Sequence, residues 1–244
     1  KFLADFIYEK IFVNYTAKQW GKKPEDISPE VTGRVPVFVS RDNRYFQDKY
    51  QAIPEHGYTR IFENLLNHSN ISVMLNTNFK DVFNLDLESG AMQFLGNEFK
   101  GELIFTGLID ELFEGRFGEL PYRSLDFQFE HLSCDQYQSN TTINYPNDYD
   151  FTRITEFKHI SQQSIAGTTI VKEFPQDFER DNPLKNVPYY PVFTEENKAI
   201  LNRYLGFSEK FDRVTLVGRL AENRYYDMDD IVARALAVFD EKFA

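Results

Sequence analysis

The sequence has little cysteine, and its histidines are scattered. Cys134 is the single cysteine, so an internal disulfide is excluded. No CxxC pair or Cys/His cluster has the spacing of a zinc site, and we predict no metal site. A chain without disulfides fits a reducing compartment, so we expect a cytoplasmic location.

The 12 glycines are dispersed, and none forms a nucleotide-binding loop. No GxGxxG follows a predicted strand, and neither GxxxxGKS nor GxxxxGKT is present, so the chain has no dinucleotide fingerprint or P-loop of its own. GxSxG and HExxH are also absent, which sets aside the hydrolase and zinc peptidase classes that use them.

Positive charge and long apolar runs are scarce as well. With 27 Lys and Arg against 38 Asp and Glu, the net charge is −11, which argues against broad nucleic-acid binding. No apolar run approaches the ~20 residues that span a bilayer. The chain starts at Lys1 without a signal peptide, and we expect that it begins inside a longer protein.

Aromatic residues are abundant, since 14 Tyr, 24 Phe and 1 Trp make up 16% of the chain. Planar arginine forks suit a diphosphate, and a flat aromatic face suits a uracil ring. From residue types alone, a solvated strand face at Arg153 and simple packing at Tyr225 stay open beside an anionic-ligand cleft. Four segments combine aromatic with basic residues: 15–21, 34–46, 151–159 and 218–229.

Apolar spacing predicts helices over 1–12 and 58–67. Thr194 is predicted to cap a helix that stops at Gly206, and a strand at 214–217 precedes a helix over 228–243. The inward face of that last helix is predicted to carry Ile231, Ala233, Leu236, Ala237 and Phe239. Between these helices, short β-rich segments are predicted at 71–75, 92–94, 102–105, 125–132, 141–145, 152–158 and 168–174.

Because these strands follow one another without intervening helices, we predict an α+β fold with a mainly antiparallel sheet and flanking helices. We divide the chain into a helical segment with a substrate loop (1–69), an antiparallel sheet domain (70–210) and a C-terminal strand–helix (211–244). We expect helix 1–12 and the strand–helix to expose apolar surface, which favours a homodimer or partial disorder there.

Nine segments stand out in chain order: YTAKQWG, RVPV, DNRYFQDKYQAIP, GYT, FTGLIDELF, GELPYRSLDF, NYPNDYDFTRITEFKH, PYYPV and VGRLAENRYYDMDDIVARAL. Taken together, they resemble the UDP-galactopyranose mutase family from about residue 10 to 240. The resemblance implies an isomerase that interconverts UDP-galactopyranose and UDP-galactofuranose, a precursor of cell-surface polysaccharide, through an adduct of the sugar with N5 of reduced FAD. It covers the carboxyl-terminal two-thirds of the family, the substrate-side part of a two-dinucleotide-binding-domain flavoprotein.

The resemblance also assigns roles to individual residues. It implies a catalytic role for Arg153, as a diphosphate clamp, and for Arg34. It places Thr106 and Gly107 near the flavin. The implied FAD-binding residues are Gly218, Arg219, Asp227 and Met228. The implied UDP-galactose-binding residues are Tyr15, Thr16, Trp20, Arg34, Tyr45, Asn144, Arg153, Tyr190 and Tyr225.

The chain departs from the family's usual residues at four positions. Phe38 stands for an arginine, Leu108 for a proline, and Phe151 and Asn223 for tyrosines. Because the family's GxGxxG segment does not occur in this chain, we expect the chain alone to be inactive. Two alternatives stay open: a UDP-sugar-binding module without flavin chemistry, and a flavin amine oxidase-like enzyme, which YTAKQWG and FTRITEFKH disfavour.

Overall fold

A computed structural model describes residues 1–27, 39–42, 44–161 and 163–244. The chain divides into two compact units. Unit 1 comprises Lys1–Met74 and Leu125–Gln176, and unit 2 comprises Leu75–Ser124 and Asp177–Ala244. The three-part division made from the sequence stays a prediction.

Helices and short strands alternate with loops along the described chain. The helices are α1 (Phe2–Ile7), α2 (Val13–Trp20), α3 (Gly57–Leu66), α4 (Phe79–Val82), α5 (Ile109–Leu112), α6 (Lys158–Ser161), α7 (Glu195–Ser208) and α8 (Met228–Lys242). The strands are β1 (Phe83–Leu85), β2 (Met92–Phe94), β3 (Asn97–Glu98), β4 (Leu103–Phe105), β5 (Tyr122–Leu132), β6 (Thr142–Asn144), β7 (Arg153–Glu156), β8 (Thr168–Asp177), β9 (Tyr190–Pro191) and β10 (Val214–Leu216).

The N-terminal helical segment is longer than predicted. A π-helical stretch, Tyr8–Phe12, joins α1 to α2, so helical structure continues to Trp20. It ends at Gly21, whose φ of 65° is the left-handed conformation that glycine adopts at little cost.

The strands among the described residues form three sheets, and the largest is antiparallel where the predicted site lies. Its order is β6-β7-β8-β5-β9, and β7 pairs antiparallel with both β6 and β8. β1, β2 and β3 form an antiparallel meander. β4 and β10 pair in parallel. The sequence placed β4 in the antiparallel run, because nothing local reveals a partner more than 100 residues away.

Unit 2 has an aromatic core around a buried tyrosine. Tyr204 on α7 has no exposed surface, and its ring lies 6.2 Å from that of Phe113. Its hydroxyl donates to the carbonyl oxygen of Gly118 at 2.8 Å and accepts from the amide of Phe117 at 3.1 Å. Tyr204 therefore satisfies two backbone groups inside the core.

We expect Tyr204→Phe to lower the free energy of unfolding by about 1–3 kcal/mol, because both backbone groups lose their partner in the core. Urea unfolding followed by circular dichroism measures the change. Tyr58→Phe is the control, since Tyr58 is 44% exposed on α3. Equal stability of the two variants would contradict this role.

Two further elements, residues 71–75 and helix α7, differ from the sequence-based expectation. Residues 71–75 form no strand, and their apolar side chains are exposed. Helix α7 does begin at its Thr194 cap, which accepts from the amide of Asn197, but it continues through Gly206 to Ser208. A single glycine costs a helix only about 1 kcal/mol, and the burial of Phe207 offsets that cost.

Helix α8 turns a different face inward from the one predicted. Val238 is its buried residue, whereas Leu236 and Phe239 are 61% and 56% exposed. Phe2 of α1 is 83% exposed. Apolar surface is thus exposed at both ends of the chain, as expected, and the homodimer stays a prediction. Among the described helices, none is long and apolar enough to cross a membrane.

Candidate functional site

A row of polar side chains crosses three strands of unit 1. Asn144 on β6 lies opposite Arg153 on β7, and Arg153 lies opposite Glu173 on β8. Side chains alternate across a strand, so Arg153 shares its face with Thr155, while Ile154 and Glu156 point to the other face. The hydroxyls of Thr142 and Thr155 lie 3.1 Å apart. This face of the sheet is therefore polar over three strands.

Arg153 is held from two sides in unit 1. Its Nη2 donates to the hydroxyl oxygen of Tyr15, on α2, at 2.7 Å, and its Nε lies 3.4 Å from Oε2 of Glu173. Burial raises the pKa of the Glu173 carboxyl, and the positive charge of Arg153 offsets only part of that rise. The hydrogen bond to Tyr15 and the ion pair with Glu173 restrain the guanidinium before any ligand arrives.

The other α2 residues of the implied uridine site are more enclosed. Thr16 and Trp20 are both 4% exposed, so the protein itself covers them. Tyr15 is half-buried. In this arrangement, Tyr15 is the α2 aromatic ring with surface open to a ligand.

The opposite face of β7 is anchored by a buried carboxylate. Glu156 has no exposed surface, and its Oε1 accepts from Thr168 Oγ1 at 2.7 Å and from the amide of Tyr137 at 3.0 Å. Its Oε2 accepts from the amide of Gln138 at 2.9 Å, and Nε2 of His159 lies 3.2 Å away. Burial raises the pKa of Glu156, but the hydrogen bonds that it accepts outweigh this, and its net shift is downward.

Unit 2 contains a second predicted group, around Arg219. The rings of Tyr190 and Tyr225 are nearly parallel with centroids 6.4 Å apart, and Cζ of Arg219 lies 4.5 Å from the Tyr225 centroid and 5.5 Å from that of Tyr190. The guanidinium of Arg219 also donates to the carbonyl oxygens of Tyr226 at 2.5 Å and Tyr189 at 3.3 Å. Arg219 thus orients both tyrosines through their rings and adjoining backbone.

The residues of unit 2 that the resemblance places near the flavin lie after the ends of two strands and at the start of a helix. Parallel strands β4 and β10 lead into Thr106–Gly107 and into Gly218, the edge where ligands of parallel sheets bind. Gly218 has a φ of 110°, and a Cβ there would lie 3.7 Å from Cβ of Thr106. Asp227 caps α8, where Met228 is 65% exposed.

These features fit only the ring end of FAD. A helix N-terminus and an open glycine edge can approach the carbonyl oxygens of a flat ring. The first turn of α8 instead opposes a pyrophosphate, because it is acidic and Asp227 and Asp230 already form a capping box there. Gly218, Arg219, Asp227 and Met228 therefore provide no cradle for the FAD pyrophosphate.

Three of the four family departures lie among the described residues. Asn223 has a φ of 47°, a left-handed conformation that asparagine tolerates better than tyrosine does, and its Nδ2 lies 3.5 Å from the hydroxyl of Tyr122. Phe151 packs against Tyr149, with ring centroids 4.9 Å apart. Leu108 is buried with a φ of −70°, an angle that proline also adopts. Phe38 lies outside the described residues.

Not every predicted residue joins these two groups. Arg34 lies outside the described residues. Tyr45 is 54% exposed and packs edge-on against Phe46, with ring centroids 4.9 Å apart. Sequence reasoning gave no role to Glu173 or to Lys18, although Lys18 lies in the quoted YTAKQWG segment. Two-residue periodicity in the TTIVKEF run could have placed Glu173 on one face of β8. Among the described residues, no group of three or more His, Cys, Asp or Glu could hold a metal ion.

The fold is shared with a protein of known structure. The crystal structure of reduced UDP-galactopyranose mutase matches 96% of this chain with a TM-score of 0.70 and 15% sequence identity, over 63% of its own length. A family model described as UDP-galactopyranose mutase matches residues 10–225. The chain belongs to the UDP-galactopyranose mutase family.

Curated relatives match nearly all of the chain at similar identity. The dTDP-fucopyranose mutase of Escherichia coli is 35% identical over 238 residues, which cover 97% of this chain and 60% of that protein. The probable UDP-galactopyranose mutase of Klebsiella pneumoniae is 34% identical over 243 residues, which cover 99% of this chain and 59% of that protein. The UDP-galactopyranose mutase of Mycoplasma pneumoniae is 33% identical over 238 residues, which cover 96% of this chain and 59% of that protein. The chain thus spans about three-fifths of the length of these relatives.

Proposed function

We propose that this chain is the substrate-binding portion of a FAD-dependent UDP-galactopyranose mutase, which converts UDP-galactopyranose to UDP-galactofuranose. The observation that carries the proposal is the guanidinium of Arg153, held by Tyr15 and Glu173 on a polar sheet face. A planar cation with a fixed orientation suits two phosphate oxygens better than a mobile ammonium does. Family membership supports UDP-galactose as the ligand.

In this scheme, the residues of the chain bind and orient the sugar nucleotide. Arg153 would neutralise the diphosphate, both in the bound sugar nucleotide and in the UDP that departs from the anomeric carbon. The ring of Tyr15 would lie against the uracil. The same resemblance implies that Tyr190 and Tyr225 of unit 2 contact phosphate, and Arg219 holds both rings. The hydroxyl of Tyr225 donates to Oδ1 of Asp227 at 3.0 Å, so it would exchange that partner for a phosphate oxygen. Reduced flavin, when bound, would supply the electron pair that replaces UDP on the anomeric carbon.

We propose further that the chain by itself is inactive. The described flavin residues fit the ring end alone, and the sequence contains no GxGxxG or P-loop that could hold a pyrophosphate. Most of the cofactor's binding energy would have to come from protein that this chain does not contain.

Titration calorimetry of the chain with UDP and uridine, followed by an activity assay, tests both statements. We expect saturable binding of UDP, binding of uridine at least about tenfold weaker because the charged hydrogen bonds are lost, and no turnover of UDP-galactofuranose with FAD and dithionite. Turnover would overturn the inactivity. Equal affinity for UDP and uridine would overturn the role of Arg153.

The relative from Escherichia coli raises one competing ligand, since its name specifies a dTDP sugar. A parallel titration with dTDP separates the two nucleotides. We expect UDP to bind more tightly, and a preference for dTDP would replace UDP-galactose by a dTDP sugar in the proposal.

A further inference from the structure

Lys18 is the charged residue of YTAKQWG, and the resemblance assigns it no role. It lies on α2, three residues and so just under one helical turn after Tyr15, and its side chain is half-buried. Its Nζ donates to three backbone carbonyl oxygens of a single loop: Tyr145 at 2.5 Å, Tyr149 at 2.8 Å and Phe151 at 3.2 Å. An ammonium group carries three protons, so it can serve three converging acceptors at once.

The loop that Lys18 gathers, 145–151, is the connection between β6 and β7. Its start and end are joined by the hydrogen bond from the amide of Tyr145 to the carbonyl oxygen of Thr152, at 2.8 Å. Arg153 is the next residue after Thr152. The position of the loop therefore sets the position of Arg153, the first residue of β7, and with it the position of the guanidinium.

A second tether links the same helix face to the same loop. Nδ2 of Asn14 donates to Oδ1 of Asn147 at 2.6 Å, and Nδ2 of Asn147 donates to the carbonyl oxygen of Lys10 at 3.0 Å. Asn14 and Lys18 are four residues apart, so they lie on one side of α2. The helix thus meets the loop at two points, one on each side of Tyr15 in the sequence.

We propose that Lys18 is the positioning residue of the Arg153 phosphate clamp: by gathering the carbonyl oxygens of loop 145–151, it holds Tyr15 and Arg153 at hydrogen-bonding distance. This inference rests on the proposed function, because it deepens the role of Arg153 in UDP binding. Lys18 acts through the loop and does not touch the ligand.

The chemistry of lysine suits this position. The three acceptors converge on one point, which a compact ammonium can occupy, whereas the planar fork of arginine directs its donors outward. Burial lowers the pKa of Lys18, and the negative charges of Asp150 and Asp148 oppose that shift. These two carboxylates belong to the same loop, so the charge of Lys18 also stabilises the loop electrostatically.

The test compares Lys18→Met with Lys18→Arg in titrations with UDP. We expect Lys18→Met to weaken UDP binding about ten- to hundredfold, as small misplacements of a binding group do. Lys18→Arg should restore part of this loss, because it keeps the charge. Lys22→Met is the matched control, since Lys22 is exposed just beyond the same helix.

A double-mutant cycle separates positioning from simple destabilisation. Tyr15→Phe and Arg153→Lys are combined in the unaltered, Lys18→Met and Lys22→Met backgrounds, and their coupling is measured from UDP affinity and from urea unfolding midpoints. We expect a coupling of about fivefold in affinity that disappears only in the Lys18→Met background. Asn14→Ala, which removes the second tether without a charge change, should reduce it partially.

The outcomes distinguish the two proposals. A Lys18→Met variant that folds, binds UDP normally and keeps the Tyr15–Arg153 coupling overturns the positioning role. If the unaltered chain fails to bind UDP, the proposed function is contradicted, while the coupling measured from unfolding midpoints still decides whether Lys18 aligns the pair.

Discussion

Arg153→Met is expected to weaken the binding of UDP by at least about 100-fold, since each hydrogen bond to a charged group is worth about 1.5–3 kcal/mol and two would be lost. Calorimetric titration of the variant with UDP measures the effect. Arg153→Lys should recover only part of the affinity, because lysine keeps the charge but not the fork. Arg60→Met is the control, since Arg60 pairs with Glu63 on exposed α3.

Loss of Arg153 also leaves the carboxylate of Glu173 without its cation, and this could destabilise the sheet independently of UDP. The double variant Arg153→Met/Glu173→Gln removes both charges and so controls for that effect. We expect the double variant to unfold close to the unaltered chain and still to bind UDP weakly. Recovery of UDP affinity in the double variant would contradict direct phosphate binding by Arg153.

Glu156→Gln is expected to lower the free energy of unfolding by about 3 kcal/mol. The side-chain NH₂ of glutamine would face backbone N–H groups that donate hydrogen bonds to the carboxylate of Glu156. Each oxygen of Glu156 accepts at least one backbone amide, from Tyr137 or Gln138, so neither orientation of glutamine avoids a donor facing a donor. Urea unfolding at pH 7 measures the loss.

The effect of Glu156→Gln should depend on pH in a defined direction. The folded-state pKa of Glu156 lies below the ordinary value of 4.5, so its stabilisation is present above pH 4.5 and is lost as the pH falls through the folded-state pKa. The two proteins should therefore approach equal stability in acid. Glu130→Gln is the control, since Glu130 forms an exposed pair with Lys172 worth about 0–1 kcal/mol. A difference that grows in acid would contradict this account.

Local signals in the sequence predicted much of the secondary structure. The cap at Thr194 and the antiparallel strands around Arg153 are confirmed, because side-chain chemistry and two-residue alternation are local properties. The strand predicted over 71–75 was wrong, since β-branched composition cannot show whether a partner strand is available. The parallel pairing of β4 with β10 was missed for the same reason.

The sequence pointed to some residues of the candidate site, but it gave none of their contacts. The resemblance pointed to Tyr15 and Arg153 separately, yet 138 residues separate them and no local rule gives the 2.7 Å bond. Glu173 and Lys18 were missed because their roles depend on partners that the fold alone supplies. Their residue types by themselves fit an ordinary solvated surface.

Because side chains alternate along β7, the face of the sheet on which Arg153 lies depends on whether its position in the strand is odd or even. Deletion of one residue from loop 145–151, or from β7 itself, is expected to shift the strand by one place. Arg153 would then turn toward the buried face that carries Glu156, and Ile154 toward the ligand. Substitutions in this segment should consequently be graded in their effects, whereas single-residue deletions should abolish nucleotide recognition outright. Deletion of two residues from the loop would keep Arg153 on its present face, so it should be less harmful than deletion of one residue.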